Sequence, residues 1–155
     1  MNKEFNIMLD GLIGQRIREV GRSMDLVWIG IGNDICLELP NGLHKIKTRY
    51  ALHIQTPFRI KYKDEKLVGY ADMLCMYEDE NLFDRKIRNI NRRIKNERLL
   101  IESYNIGTYN DLTIVGKGFQ LEVFICGYND DESWRLLEVG GIHLVVNNNR
   151  YELIS

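Results

Sequence analysis

One stretch, Asn81 to Glu97 (NLFDRKIRNINRRIKNE), is the only long segment of the chain with helical periodicity, and the segments on either side of it read as strands and turns. Phe83, Ile87, Ile90 and Ile94 recur at spacings of four, three and four, which sets them on one stripe of a helix. Asn81 stands where an N-cap is needed, and Asp84, three residues on, brings a carboxylate to the positive end of the dipole in the manner of a capping box. The opposite face is basic, with Arg85, Arg88, Arg92, Arg93 and Lys95. A single such helix among strands predicts an α+β, strand-dominated domain.

The flanking segments alternate. Met24 to Ile31 is rich in branched and aromatic residues and reads as a strand buried on both faces. Gly32-Asn33-Asp34 then reads as a turn, with Ile35 to Leu39 returning as its partner, and Pro40-Asn41-Gly42 as the next turn. Tyr50, Leu52 and Ile54 alternate with Ala51, His53 and Gln55, and Phe58 to Lys63 alternates again beyond a bend at Pro57. Leu67 to Met76 reads as strand. After the helix, Leu99 to Ile106, Asp111 to Val115, Phe119 to Ile125, Ile142 to Val146 and Arg150 to Ile154 read as strands. Gly116-Lys117-Gly118 and Asn147-Asn148-Asn149 supply turns, and Gly127 to Glu132 is an acidic loop. Ser133 to Val139 fits a strand or one helical turn.

The two flanks resemble each other. A shift of 86 positions superposes Gly21 on Gly107, Asp25 on Asp111, Leu26 on Leu112, Gly30 on Gly116 and Gly32 on Gly118. Two readings stand side by side. Either residues 12–76 and 99–155 form a pseudo-repeat joined by the helix over 81–97, or meanders of similar length place glycine at similar turns. The expected architecture is therefore one domain over residues 1–155, in which two similar antiparallel meanders pack around one central amphipathic helix.

Composition narrows the function classes. With 155 residues, 45% apolar and 28% charged, the chain suits a globular domain rather than a disordered one. No apolar run reaches the roughly 18 residues of a membrane span and the N-terminal segment lacks a signal-peptide core, so the expected compartment is the cytoplasm, without membrane partners. Cys36, Cys75 and Cys126 are odd in number and widely spaced, which predicts buried free thiols rather than a disulfide framework or zinc site. His44, His53 and His143 lack metal-ligand spacing, serine-nucleophile and phosphate-loop motifs are missing, and no metal or cofactor is expected.

Two groups carry candidate chemistry. In HIQTPFR, His53, Gln55 and Arg59 offer an imidazole, an amide and an anion clamp. In the second flank, Trp134, Arg135 and His143 form the counterpart, with Glu132 and Glu138 available to pair with Arg135. These residues fit a protein-binding surface first. A small anionic ligand is a second partner, and with His53 or His143 as acid/base and Arg59 as clamp the same residues would suit a small-molecule enzyme. A third reading places nucleic acid on Arg85, Arg88, Arg92 and Arg93. Residues 82–100 hold seven Lys/Arg against two acids in a chain that is acidic elsewhere, yet no aromatic is interleaved for base stacking. Oligomeric state is not encoded in any motif.

Taken together, YALHIQTPFRI, NLFD, LEVF, ESWRLL and IHLVV resemble a group of small bacterial proteins in which L-H-x-Q-x-P-[WF]-R-I precedes L-E-V-F and E-x-W-R. The resemblance spans Leu12 to Val146, with Phe58 where Trp is as common and an acidic loop after Ile125 that departs from the group. It implies a stand-alone accessory or immunity-type protein rather than an enzyme.

Overall fold

The computed structural model describes residues 3–63, 66–127, 131–148 and 150–155. The helix expected over 81–97 is α2, Leu82–Asn96; it lies along sheet edges rather than at the centre of two meanders, and its apolar stripe is buried at all four positions, Phe83, Ile87, Ile90 and Ile94. Asn81 caps it, its Oδ1 accepting from the backbone of Phe83 at 2.9 Å and Asp84 at 3.4 Å. The Asp84 carboxylate is engaged elsewhere: Nε and Nη2 of Arg22 each donate to it at 2.7 Å.

Arg22 belongs to β1 (Ile17–Ser23), and α2 runs along this strand in the opposite direction. Midway, the Asn91 carboxamide accepts from Val20 N at 2.9 Å and donates to Val20 O at 2.7 Å. At the far end, Arg16 Nη2 donates to the carbonyl of Lys95 at 3.3 Å, a cation at the negative end of the helix. β1 is an edge strand, and covering such an edge with a helix removes a template for unwanted pairing. On its other flank α2 meets β5 (Lys66–Gly69), where Lys86 Nζ donates to Leu67 O at 3.2 Å. The helix thus closes one open side of the fold, its stripe sealed between two sheet edges and Phe83 edge-to-face on Phe58 at 6.0 Å.

The remaining strands are β2 (Leu26–Glu38), β3 (His44–Ile54), β4 (Phe58–Tyr62), β6 (Met76–Tyr77), β7 (Glu80–Asn81), β8 (Ile101–Ile106), β9 (Leu112–Gly116), β10 (Phe119–Val123), β11 (Trp134–Glu138), β12 (His143–Asn147) and β13 (Arg150–Ile154). All pair antiparallel, in a six-stranded sheet ordered β1-β2-β3-β11-β12-β13, a five-stranded sheet ordered β5-β4-β10-β9-β8, and the small β6-β7 pair. The fold is α+β and strand-dominated, as expected.

The flanks do not form separate layers. Each sheet takes strands from both, because the chain changes sheets between β3 and β4 and again between β10 and β11. The two crossings brace each other: Thr56 Oγ1 donates to Phe124 O at 2.6 Å, Phe124 N to Pro57 O at 2.9 Å, and Gln55 N to Ser133 O at 2.8 Å. Inward-facing residues alternate along every long strand, such as Leu52/Ile54, Ile60/Tyr62, Leu121/Val123 and Trp134/Leu136, and fill the core between the sheets. Of the residues superposed by the 86-position shift, Leu26 and Leu112 open β2 and β9. Gly32 and Gly118 share positive φ (+90° and +71°), but Gly32 lies within a strand and Gly118 between two strands.

Several local expectations change. Gly32-Asn33-Asp34 is not a turn: β2 runs through it with a register shift between Ile31 and Asp34, a bulge whose extra residue the positive φ of Gly32 accommodates. The segment from Ile35 to Glu38 therefore prolongs β2, and reversal waits for Pro40-Asn41-Gly42, where Gly42 has φ +79°. Leu67 to Met76 is only briefly strand, giving way to a 3-10 helix at Tyr70–Leu74. A second α-helix, α1 (Lys3–Asp10), sets Phe5 edge-to-face on Trp134 at 6.2 Å and Tyr151 at 4.7 Å. All three cysteines are exposed rather than buried, since none occupies an inward-facing position. Asp130 of the acidic loop and Asn149 of the last turn lie outside the described residues.

Candidate functional site

The outer face of the six-stranded sheet brings together residues far apart in sequence. Strand alternation turns Val27/Ile29, Leu52/Ile54, Trp134/Leu136 and Leu144/Val146 inward, so Trp28, Gly30, Ala51, His53, Arg135, Leu137 and His143 face out. Register aligns them in two rows, Trp28–His53–Arg135–Val145 and Gly30–Ala51–Leu137–His143. His53 and His143 are thus diagonal neighbours on either side of Arg135.

Arg135 is committed to Glu132, donating from Nε at 3.0 Å and Nη2 at 2.7 Å, and its Nη1 lies 3.5 Å from His143 Nδ1. This fork-to-carboxylate pair fixes the guanidinium plane and leaves it little capacity for another anion. Burial pushes the His53 imidazole below the ordinary histidine range; Glu132 opposes that shift, while Arg135 and His143 add to it. The shift favours the neutral imidazole, which offers one donor and one acceptor.

Beyond the Gly32 bulge, β2 and β3 continue as a two-stranded arm that pairs Asp34–Glu38 with His44–Thr48. Neither neighbour follows it: β1 pairs with β2 only at Leu26–Ile31, and β11 pairs with β3 only at Tyr50–Ile54. The arm leans over the outer face. A Cβ on Gly30 would lie 3.1 Å from Thr48 Cγ2 and Oγ1, so glycine there permits the approach. Between the arm and the end of β11 runs a groove of about 800 Å3, floored by Gly30 and Ala51, with Trp28 and His53 in the adjacent row, His143 beyond Leu137, and Leu37, Ile46, Lys45 and Lys47 on the arm side.

The other candidates are distributed elsewhere. Gln55 lies exposed at the sheet crossing, outside the groove lining. Arg59 is on β4 of the second sheet, paired with Glu122 and stacked over Phe124 at 5.3 Å; the crossing at Pro57 separates it from His53. Trp134 points opposite to Arg135 and is fully buried, its Nε1 donating to Asn110 O at 2.9 Å. On α2, Arg88 makes a bidentate pair with Glu80 at 2.9 Å, Arg85 stacks over Tyr77 at 4.1 Å, and Arg92 and Arg93 face solvent. Among the described residues no three His, Cys, Asp or Glu side chains converge to hold a metal, and no helix is long and apolar enough to cross a membrane.

Trp28 and the arm are the groove components that sequence reasoning missed. The signal was present in Val27-Trp-Ile-Gly-Ile31, where a strict inward set alternates with tryptophan and glycine, a pattern unlike a strand buried on both sides. Comparison with known protein families, with characterised proteins and with solved structures gives no match. The molecule is an antiparallel α+β protein built on two large sheets, with a groove on the outer face of the six-stranded one.

Proposed function

We propose that the protein is a non-catalytic binding protein that engages a segment of a partner protein in the groove beneath the β2–β3 arm. The observation that carries this reading is the arm itself: two strands extended past both neighbours, exposing Leu43 and Ile46 at 62% and 69% over a floor of glycine and alanine. Apolar side chains presented on a projecting ribbon contribute nothing to the core and are costly in water, which favours an interaction role. Trp28, with His53 directly opposite on β3, supplies an amphipathic anchor of the type enriched at interfaces. An accessory or immunity-type role is in keeping with such a surface, and the proposed compartment is the cytoplasm.

The test is selection of peptides from a random display library, followed by binding to Trp28→Ala and Ile46→Arg. Selected peptides are expected to lose at least about ten-fold in affinity on either change. Peptides that bind both variants like the parent would overturn the groove as the binding surface.

A second reading, acid/base chemistry on a small molecule, draws on the placement of His53 and His143 on one face. Against it stands the Glu132 carboxylate, which occupies the Arg135 fork that would have to clamp an anionic substrate. Turnover that disappears with His53→Gln would support this reading over binding alone.

A further inference from the structure

The geometry points to the free edge of β3, from His44 to Thr48, as a β-addition site for an extended acidic segment of a partner protein. This inference rests on the groove reading above and names what the groove takes.

A strand flanked on one side only presents alternate N–H and C=O groups to any chain that can lie beside it. The β11 side of β3 is filled through Arg49, whose carbonyl accepts from Val139 N at 2.9 Å. Past that bond, β3 has β2 on one flank and the groove on the other. A segment entering beside Lys45 and Lys47 prolongs the line of β11 and lies within the groove.

Charge selects the occupant. Lys45 and Lys47 are exposed and have no ion-pair partner among the described residues; of the groove carboxylates, Asp34 is engaged by Arg18 at 3.4 Å and Glu138 by Arg49 at 3.2 Å, and Glu19 stands on β1, on the far side of β2 from this edge. Lysines on an edge repel a second copy of the same edge and attract carboxylates. Alternate side chains of an added strand face opposite ways. One set shares the face of Lys45, Lys47 and Ala51, and the other lies beside Ile46 on the opposite face. A pattern of apolar and acidic residues in alternation fits both.

Three fluorescein-labelled ten-residue peptides provide the test: alternating Val and Glu, alternating Val and Lys, and the Val/Glu peptide N-methylated at every second residue to remove donors from one edge. The acidic peptide is expected to bind at least about ten-fold tighter than either of the others and to slow amide exchange at Lys45 and Lys47. Lys45→Glu with Lys47→Glu, both on exposed side chains, is expected to reverse the acidic/basic preference. Equal binding of the methylated peptide overturns backbone pairing, and equal binding of the lysine peptide overturns the charge selection. Protection of these amides in a peptide-free dimer overturns the proposal in favour of a second copy. Peptides that bind with Trp28→Ala sensitivity but leave the Lys45 and Lys47 amides unchanged remove the edge site while the groove reading stands. Loss of Trp28 dependence removes both.

Discussion

The indole of Trp28 lies directly across Gly21 on the neighbouring strand, so close that a Cβ there would meet three ring carbons, Cε2 at 2.6 Å among them. Glycine is required at this point by a side chain on another strand rather than by its own backbone. Gly21→Ala is expected to tip the indole off the sheet and cost about 1–3 kcal/mol, the range for overpacking a fitted site. The protein has two tryptophans and Trp134 is fully buried, so a red shift in emission reports on Trp28. An unshifted spectrum would contradict this role for Gly21.

Asn91 serves β1 as a neighbouring strand would, meeting both the N–H and the C=O of Val20. Asn91→Leu leaves two backbone groups unmet under a helix and is expected to destabilise by about 2–3 kcal/mol. The midpoint of urea unfolding should fall with the slope unchanged.

His53 gives a signed pH dependence. Its folded-state pKa is lowered, chiefly by burial, so between the folded and unfolded values the unfolded chain binds the extra proton. Stability therefore falls as pH drops below the ordinary histidine value of about 6.5, and the loss is complete once pH passes the folded value. His53→Gln should flatten the melting temperature between pH 7.5 and 5.5 relative to the parent. The C2 proton of His53 should titrate below the ordinary range by NMR.

At the alkaline end, Tyr62 donates to Glu97 at 2.6 Å, and burial together with that carboxylate pushes its hydroxyl up to about 12. Its contribution to stability is intact below the ordinary tyrosine value of about 10 and is lost as pH rises toward the folded value. Tyr104, bonded to Asp10, is likewise pushed up to about 12. Absorbance titration should show late-ionising tyrosine, and Tyr62→Phe should remove part of that late fraction.

The basic face of α2 supplies a negative control. Arg88 and Lys86 are paired with Glu80 and Asp72, and Arg85 stacks on Tyr77. Arg92→Glu with Arg93→Glu, both outside the groove, should change stability by no more than about 0.5 kcal/mol and leave peptide binding intact. Salt-sensitive binding of a mixed DNA or RNA pool that these changes abolish would instead establish a nucleic-acid role.

Periodicity made the helix and most strands legible. Phe83, Ile87, Ile90 and Ile94 define α2 without outside information, and Phe58, Ile60 and Tyr62 do the same for β4. What local pattern cannot carry is partnership. Gly32 reads as a turn or a bulge from the same residues, and only the longer run of pairing with β3 decides between them. His53 and Arg135 are in register although 82 positions apart, while Arg59, six positions from His53, belongs to the other sheet. Proximity in sequence was misleading for one partner and uninformative for the other. α1 escaped notice because eight residues with two buried apolar positions, Phe5 and Leu9, give too short a stripe to read.

The braced crossings also govern how the chain reaches this state. The pairings at the heart of both sheets, Leu52 with Leu136 and Ile60 with Leu121, close loops of more than 60 residues, and neither flank can complete a sheet alone. Loop closure of that length must precede the gain from burial, which slows folding. During synthesis, β3 leaves the ribosome with one edge unpaired and stays so until β11 emerges. For this protein the hazard of aggregation is greatest before the chain is complete.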